Sequence, residues 1–204
     1  MEKIDFKETL DCYRVAPNEF RELHVPEMRY LAVDGRGDPN TPGLTQAIEA
    51  LYPVAYALKF DSKRRLDRDY VVPPLEGLWW ADDLSAFTTA RDKSKWQWRV
   101  MLMIPEWLDD AAVADAIDST RAKKSPERID DVRMETLTEG RCVQLLHVGA
   151  FDDEGGVLAQ LHEEYLPQHG LRPTGRHHEI YLSDFTRVAP EKQRTILRQP
   201  VASA

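Results

Sequence analysis

The sequence predicts an α+β protein in which two strand-helix-strand-strand units follow each other and form one antiparallel sheet with helices on one face. In each half, a β-like segment that ends at a glycine precedes an amphipathic helix, and further β-like segments follow that helix. The two halves also align at a constant offset, with Gly149 matching Gly35 and Leu158 matching Leu44. A pseudo-two-fold arrangement with a ligand cleft between the copies follows from this repeat.

The first unit begins with a strand, since residues 28–33 are rich in β-favouring side chains and the segment ends at Gly35 and Gly37. After Pro42, apolar residues recur at three- and four-residue spacing, which predicts a helix. Pro53 lies within this pattern and is expected to kink or break it. The charged residues 61–69 then read as a solvated connector.

Two neighbouring strands are predicted over residues 70–80 and 96–104, which are rich in tryptophan, valine and methionine. Asp109 or Asp110 can cap a helix that connects the halves. The second unit then repeats the order, with a strand over 141–148 and a helix through Leu158 that ends by Gly170. The last predicted strands cover 177–184 and 195–201. We expect one domain, residues 1–204, made of a first repeat (25–107), a linking helix (108–130) and a second repeat (131–201).

The composition excludes several classes of function. The 204 residues carry 27 basic and 35 acidic side chains, a net charge of −8, which argues against binding to nucleic acid through a basic surface. No apolar segment approaches the ~20 residues of a membrane helix, and the N-terminus has no apolar signal region. We therefore expect a cytoplasmic protein without nucleic-acid or membrane partners. The sequence is compatible with either a monomer or a homodimer.

Metal, nucleophile and phosphate motifs are weak, so no cofactor is expected. His177 and His178 point to opposite faces of a strand, and no HExxH pattern occurs. The acidic residues 152–154 are more simply explained as a helix N-terminus that favours negative charge. There is no GxSxG elbow and no phosphate-binding glycine loop, and Cys12 and Cys142 read as two reduced thiols.

Carboxylates and aromatic residues on the predicted strands carry the strongest functional signal. The two-residue period places His177, Glu179 and Tyr181 on one face of their strand, and the other face is typical of core. Glu179 is either exposed at a polar face or half-buried with a raised pKa. In the 70–80 segment, Glu76 and Trp80 share one face and Trp79 lies on the other. The main alternative for Glu76 is a structural role in which the backbone or an arginine pairs with its carboxylate. Each aromatic residue alone is more often core than ligand contact.

Three segments carry a family resemblance: Pro73–Trp80, His147–Glu154 and His177–Asp184. In these segments and their order, the chain resembles the GyrI-like small-molecule-binding family from about Val25 to Val201. This resemblance implies a fold related to the effector-binding domains of multidrug-responsive regulators, with a cleft that takes up flat, often cationic, lipophilic compounds. Aromatic rings supply stacking and cation–π attraction there, and a desolvated carboxylate favours positive charge.

Within this family, the chain is most similar to stand-alone members that resemble cyclopropanoid cyclopropyl hydrolases, which open the strained ring of DNA-alkylating natural products. By position, Glu179 would orient or deprotonate water and Tyr181 would hydrogen-bond the substrate carbonyl. The more usual motif has a tyrosine after Gly-Pro, whereas this chain has Ala150 followed by Phe151. A hydroxyl-based role at position 151 is therefore lost. The ligand-binding candidates are Tyr56, Glu76, Trp79, Trp80, Trp98, His147, Phe151, Tyr165 and His177.

Two functions compete on the sequence alone. A hydrolase that detoxifies lipophilic xenobiotics would use Glu179 and Tyr181 as its reactive pair, whereas a non-catalytic module that binds or sequesters cationic drugs would use Glu179 as a counter-charge only. Inhibition of DNA gyrase is suggested by the family name alone. A regulator would need a DNA-reading segment, and residues 1–24 are too short to supply one.

Overall fold

The computed structural model describes residues 3–17, 19–82 and 92–204, and their centre is one nine-stranded sheet. Eight strands follow the order β2-β8-β11-β10-β5-β6-β3-β7, and β9 pairs with β11 beside this path. All of these pairs are antiparallel, and only the short β1 and β4 pair in parallel as a separate sheet. The strands are β1 (Lys3–Ile4), β2 (Arg21–Val25), β3 (Met28–Arg36), β4 (Asp69–Tyr70), β5 (Leu75–Trp80), β6 (Gln97–Ile104), β7 (Arg133–Leu137), β8 (Gly140–Val148), β9 (Leu171–Pro173), β10 (His177–Tyr181) and β11 (Arg194–Ser203).

Five α-helices accompany the sheet within the described residues. They are α1 (Phe6–Thr9), α2 (Pro42–Leu66), α3 (Asp110–Lys123), α4 (Glu154–Ala159) and α5 (Leu166–Gln168). A π-helical segment, Gln160–Tyr165, joins α4 to α5 and makes one continuous helical stretch. The predicted cap of the connecting helix is present, since the Asp109 side chain accepts a hydrogen bond from the Ala112 backbone at 2.8 Å. No described helix is long and apolar enough to cross a membrane.

The two halves of the chain meet in the middle of the sheet. Strands β3, β5 and β6 of the first half lie on one side, strands β8, β10 and β11 of the second half on the other, and β5 pairs with β10 between them. The predicted α+β class with one large antiparallel sheet is confirmed. The numerical limits of the two repeats stay a prediction.

Helix α2 differs from the sequence prediction in two ways. It runs from Pro42 to Leu66 without a break at Pro53, and it includes most of the segment that was predicted as a solvated connector. A proline inside a helix costs about 3 kcal/mol. The side chains of Leu51, Val54 and Leu58 are completely buried, and each contributes roughly 1.5–3 kcal/mol. Burial of this face therefore outweighs the cost of the proline.

The predicted strand over 70–80 is also divided. Residues 71–74, which include two prolines, separate β4 from β5, because proline lacks the N–H that a central strand needs for pairing. Sequence patterns did not predict β2, β7 or β9. These strands lie at or near sheet edges, where a clear apolar alternation is not required.

Candidate functional site

The sheet register divides the side chains of β5 and β10 between two faces. Glu179 lies opposite Gly77 and His177 lies opposite Trp79, so these residues and Tyr181 share one face, called here the Glu179 face. The other face, called the Glu76 face, carries Glu76, Leu78, Trp80, His178 and Ile180. The two-residue period correctly predicted both distributions.

A chain of three side chains crosses the Glu179 face. The Tyr181 hydroxyl donates a hydrogen bond to Glu179 Oε2 at 2.8 Å and accepts one from Trp79 Nε1 at 3.2 Å. Burial, together with the charge of Glu179, raises the pKa of Tyr181 well above its ordinary value. The phenol thus keeps its proton, and that proton is directed at the Glu179 carboxylate.

Gly77 makes this chain possible. A Cβ atom at this position would lie 2.9 Å from Trp79 Nε1 and 2.9 Å from the Tyr181 hydroxyl. The indole and the phenol meet above the glycine backbone, in space that any side chain would fill. The sequence suggested that Gly77 admits a ligand or helix, and the structure places these two side chains there instead.

Glu154, the first residue of α4, adds a second carboxyl group to this face. Its side chain is buried, and burial followed by the charges of Glu179 and Asp152 raises its pKa to about 10. Its Oε1 atom has no hydrogen-bond partner among the described residues. Burial thus favours the neutral form of Glu154, whereas its sequence context suggested only a negative charge at a helix N-terminus.

His177 is the other incompletely paired polar group of this face. Its Nε2 lies 3.5 Å from Glu179 Oε1, and neither ring nitrogen has a hydrogen-bond partner within the described residues. The side chain is only 18% exposed. Burial of an imidazole without hydrogen-bond partners costs free energy, so the two ring nitrogens of His177 are suited to a ligand that forms a hydrogen bond with them.

Aromatic rings border the carboxyl groups. Phe151 packs edge-on against Tyr181 at 5.6 Å between ring centroids, and Phe185 contacts both rings at 6.0 and 5.8 Å. Trp96 packs edge-on against Trp79 at 5.9 Å. Phe185 was not among the predicted site residues, because the loop that carries it has no periodic pattern. These rings and the carboxyl groups together form the candidate site.

His147, Tyr56 and Tyr165 are placed less centrally. His147 lies on the Glu179 face two strands from Tyr181, and its Nε2 is 3.0 Å from the Ala150 carbonyl. Tyr56 is exposed on α2, stacked between Tyr52 and Phe60. Tyr165 stacks on Phe20 and on His169. The described contacts do not bring Tyr56 or Tyr165 to the two carboxyl groups.

Two of the predicted ligand-binding residues lie on the face of the sheet opposite to Glu179. Glu76 is completely buried on the Glu76 face, where it accepts a hydrogen bond from the Tyr13 hydroxyl. Trp80 lies on that face as well and is stacked by Arg176. Of the adjacent tryptophans, Trp79 is thus the one on the Glu179 face. Trp98 shares that face but is 2% exposed and packs on Gly35, so it belongs to the core.

A buried ionic network explains the position of Glu76. The two imidazole nitrogens of His178 lie 2.9 Å from Glu76 Oε2 and 2.9 Å from Glu139 Oε1. Arg198 donates to the second Glu139 oxygen at 2.8 Å and to Gln144 at 2.9 Å. Burial opposes these charges, yet mutual attraction lowers the pKa of Glu139 to about 2 and raises that of His178 to about 8. Glu76 thus has structural partners, as the alternative interpretation expected, but these are Tyr13 and His178 rather than the backbone or an arginine.

Metal binding has no support in the described part of the chain. No group of three His, Cys, Asp or Glu side chains there is arranged to hold an ion.

Solved structures with the same fold include two from Listeria innocua. An uncharacterised conserved protein is 39% identical, with a TM-score of 0.87 over 98% of this chain and 100% of that chain. A protein described as a hydrolase is 37% identical, with a TM-score of 0.86 over the same shares. The C-terminal domain of EcmrR is only 9% identical, with a TM-score of 0.56 over 91% of this chain and 98% of that one, and shares the fold alone.

A search of curated proteins found no match. The model of one family, described as the GyrI-like small molecule binding domain, matches residues 18–202. That match includes strands β2 to β10, nearly all of β11, and the carboxyl groups and aromatic rings of the candidate site. The chain therefore belongs to the GyrI-like small-molecule-binding family.

Proposed function

We propose that this protein binds lipophilic aromatic compounds of the cyclopropanoid type on the Glu179 face and hydrolyses their cyclopropane ring. The observation that carries the proposal is the pair of unlike carboxyl groups. Glu154 holds a proton with its pKa raised to about 10, and the Glu179 carboxylate is stabilised by the Tyr181 hydroxyl. A buried carboxyl group that favours its neutral form, next to a second carboxyl group oriented by a phenol, is suited to combined acid and base catalysis. The similarity to a structure described as a hydrolase agrees with this proposal.

The reaction adds one water to a cyclopropane that is conjugated with a carbonyl group. Glu179 accepts a proton from water as the water oxygen bonds to the ring methylene carbon. The cyclopropane C–C bond breaks, and its electron pair moves through the conjugated system to the carbonyl oxygen, which takes the proton of Glu154. The product is a hydroxymethyl phenol. Return of one proton from Glu179 to Glu154 restores the starting state.

This assignment changes the role of Tyr181. The sequence resemblance suggested that its hydroxyl donates to the substrate carbonyl. A phenol has one O–H, however, and here that proton is donated to Glu179. Glu154 Oε1 has no hydrogen-bond partner among the described residues, and burial raises the pKa of this carboxyl group, so Glu154 is the better donor to substrate. Tyr181 then acts by fixing the direction of the Glu179 carboxylate.

The alternative is a binding module without turnover. Its support is the aromatic border around Glu179, since rings and a carboxylate together attract flat cations. In that case Glu179 supplies counter-charge only, and no product forms.

Mass spectrometry separates the two functions. The purified protein is incubated with a cyclopropane-bearing duocarmycin-type compound, and the mass gain of one water is followed over time. We expect Glu179→Gln and Glu154→Gln each to slow this conversion by about 10²–10⁴-fold, the usual contribution of a positioned acid or base. Glu164→Gln, which changes an exposed glutamate on the adjacent π-helical segment, should retain the native rate.

Three results would contradict the catalytic assignment. Recovery of the compound unchanged from its complex with native protein supports the binding module instead. Full turnover by Glu179→Gln removes the proposed base. Equal loss of rate in Glu164→Gln would show that the effect is not specific to the site.

A further inference from the structure

We propose that the Glu76 face carries a second binding site, for a small monoanionic aryl carboxylate, at Arg176. A cavity of about 340 Å³ opens there, between the turn that precedes β10, the turn from β7 to β8, and strands β5, β6 and β11. It lies on the opposite side of β5 and β10 from the carboxyl groups of the candidate site. The volume is at the lower end of the range for small-molecule pockets.

The charges around this cavity leave one guanidinium unpaired. Arg99 is held by Asp34, with Nε to Oδ1 at 2.6 Å, and by Glu135 at 3.1 Å. Glu139 is held by His178 and Arg198. Arg176, by contrast, is an exposed residue, and no ion pair links it to a carboxylate within the described part of the chain.

Arg176 is also fixed in position. Its guanidinium carbon lies 3.5 Å from the centre of the Trp80 ring, so the flat group stacks on the indole. The preceding Gly175 adopts φ +65°, a conformation that side-chain-bearing residues rarely take, and this turn sets the direction of Arg176. Stacking leaves the N–H edge of the guanidinium available, and this edge matches a carboxylate with two parallel hydrogen bonds.

The rest of the lining defines the body and charge of the ligand. Leu78, Leu137 and Pro200 supply apolar surface next to the arginine. An aromatic ring fits this surface beside the Trp80–Arg176 stack. Asp34, Glu135 and Glu139 lie around the cavity and are already paired with cationic side chains, so Arg176 adds one positive charge there, which a single carboxylate neutralises. A single carboxylate on an aromatic body satisfies each of these conditions.

Calorimetric titration with cinnamate, and with its neutral analogue cinnamamide, tests this site. We expect native protein to bind cinnamate at least tenfold more tightly than cinnamamide, because only the carboxylate pairs with Arg176. Arg176→Gln should remove this preference. The matched control is Arg172→Gln, which deletes an exposed cation on β9 outside the cavity lining and should bind cinnamate as native protein does.

Several outcomes would overturn the proposal. They are equal binding of the acid and the amide by native protein, unchanged cinnamate binding by Arg176→Gln, and an equal loss in Arg172→Gln. The comparison of acid and amide on native protein needs no variant, so it holds even if a substitution disturbs folding. Glu179→Gln should bind cinnamate normally. Loss of binding in that variant would place the ligand on the Glu179 face and reject the second site, independently of whether the protein hydrolyses anything.

Discussion

Replacement of Gly77 by alanine tests whether the Trp79–Tyr181–Glu179 chain controls the site. The added Cβ would lie 2.9 Å from both Trp79 Nε1 and the Tyr181 hydroxyl, whereas ordinary contacts of this kind begin near 3.4 Å. The indole and the phenol are 3.2 Å apart and must both retreat, so their hydrogen bond breaks or lengthens. Overpacking of this kind costs about 1–3 kcal/mol, and alanine recovers part of this through the lower entropy of its unfolded chain.

The expected result is a folded protein with a disordered site. Thermal unfolding should show a loss of stability of at most about 3 kcal/mol. The Trp79 indole N–H should lose its protection against hydrogen exchange in NMR spectra, because it loses the Tyr181 oxygen as partner. Conversion of the cyclopropane compound should fall by about 10–100-fold, since Glu179 is no longer held in one direction.

Gly43→Ala is the matched control. Gly43 lies at the start of α2, and nothing lies within 4 Å of a Cβ placed there. Alanine in a helix is favoured over glycine by about 1 kcal/mol, so this variant should be equally or more stable and fully active. Native indole protection and native turnover in Gly77→Ala would refute the positioning argument.

Three further outcomes are expected from the same structure. Glu76→Gln should lower the free energy of unfolding by about 3–5 kcal/mol, because it removes one of the two buried carboxylates that flank His178. The affinity for ligands of the Glu179 face should stay unchanged, and a weaker affinity with native stability would restore Glu76 to the site. In fluorescence titrations, Trp79→Leu should lower the affinity for aromatic ligands of the Glu179 face, and Trp80→Leu should leave it unchanged. The reverse result would contradict the faces assigned to the two tryptophans. His178, with its pKa raised to about 8, should add about 2 kcal/mol to the free energy of unfolding. This contribution is fully present below pH ~6.5 and is lost as the pH rises through about 8. If denaturant titrations of His178→Asn show the same pH dependence, His178 is not its source.

Stability should fall on the acid side as well. Burial opposes ionisation of Glu139, but His178 and Arg198 lower its pKa to about 2, so its contribution is present above pH ~4.5 and is lost as the pH falls toward 2. Glu154, with its pKa raised to about 10 by burial, lowers stability increasingly as the pH rises above ~4.5, so from about pH 2 to 9 we expect the protein to be most stable near pH 4.5. Denaturant titrations across this range check the position of the maximum, and a rise in stability from pH 7 to 9 would contradict it.

Short-range patterns were sufficient for the elements and for the faces of the central strands. The alternation along β10 placed Glu179 and Tyr181 together, and the same rule separated Trp79 from Trp80. Helix periodicity located α2 but placed a break at Pro53, since a local rule takes no account of how much apolar surface the helix buries.

The acid of the proposed pair could not be read in the same way. Glu154 has an ordinary helix N-terminal context in the sequence, and its raised pKa arises from burial and from Glu179, a residue on another element. Phe185 reaches Tyr181 from a loop without a repeating pattern. No local spacing reports either contact.

The sequence by itself determined the α+β class, the order of the main strands and helices, the family resemblance, and which side chains of β10 share a face. Each of these depends on a period of two or 3.6 residues or on a contiguous motif. Contacts between distant elements place Glu76 with His178 and Tyr13 in the interior and bring Glu154 close to the charge of Glu179. They also stack Arg176 on Trp80, with no carboxylate paired to it in the described part of the chain. The physical reason is that desolvation and charge coupling depend on distances between elements far apart in the chain, and these distances are set by the packing of β5 against β10.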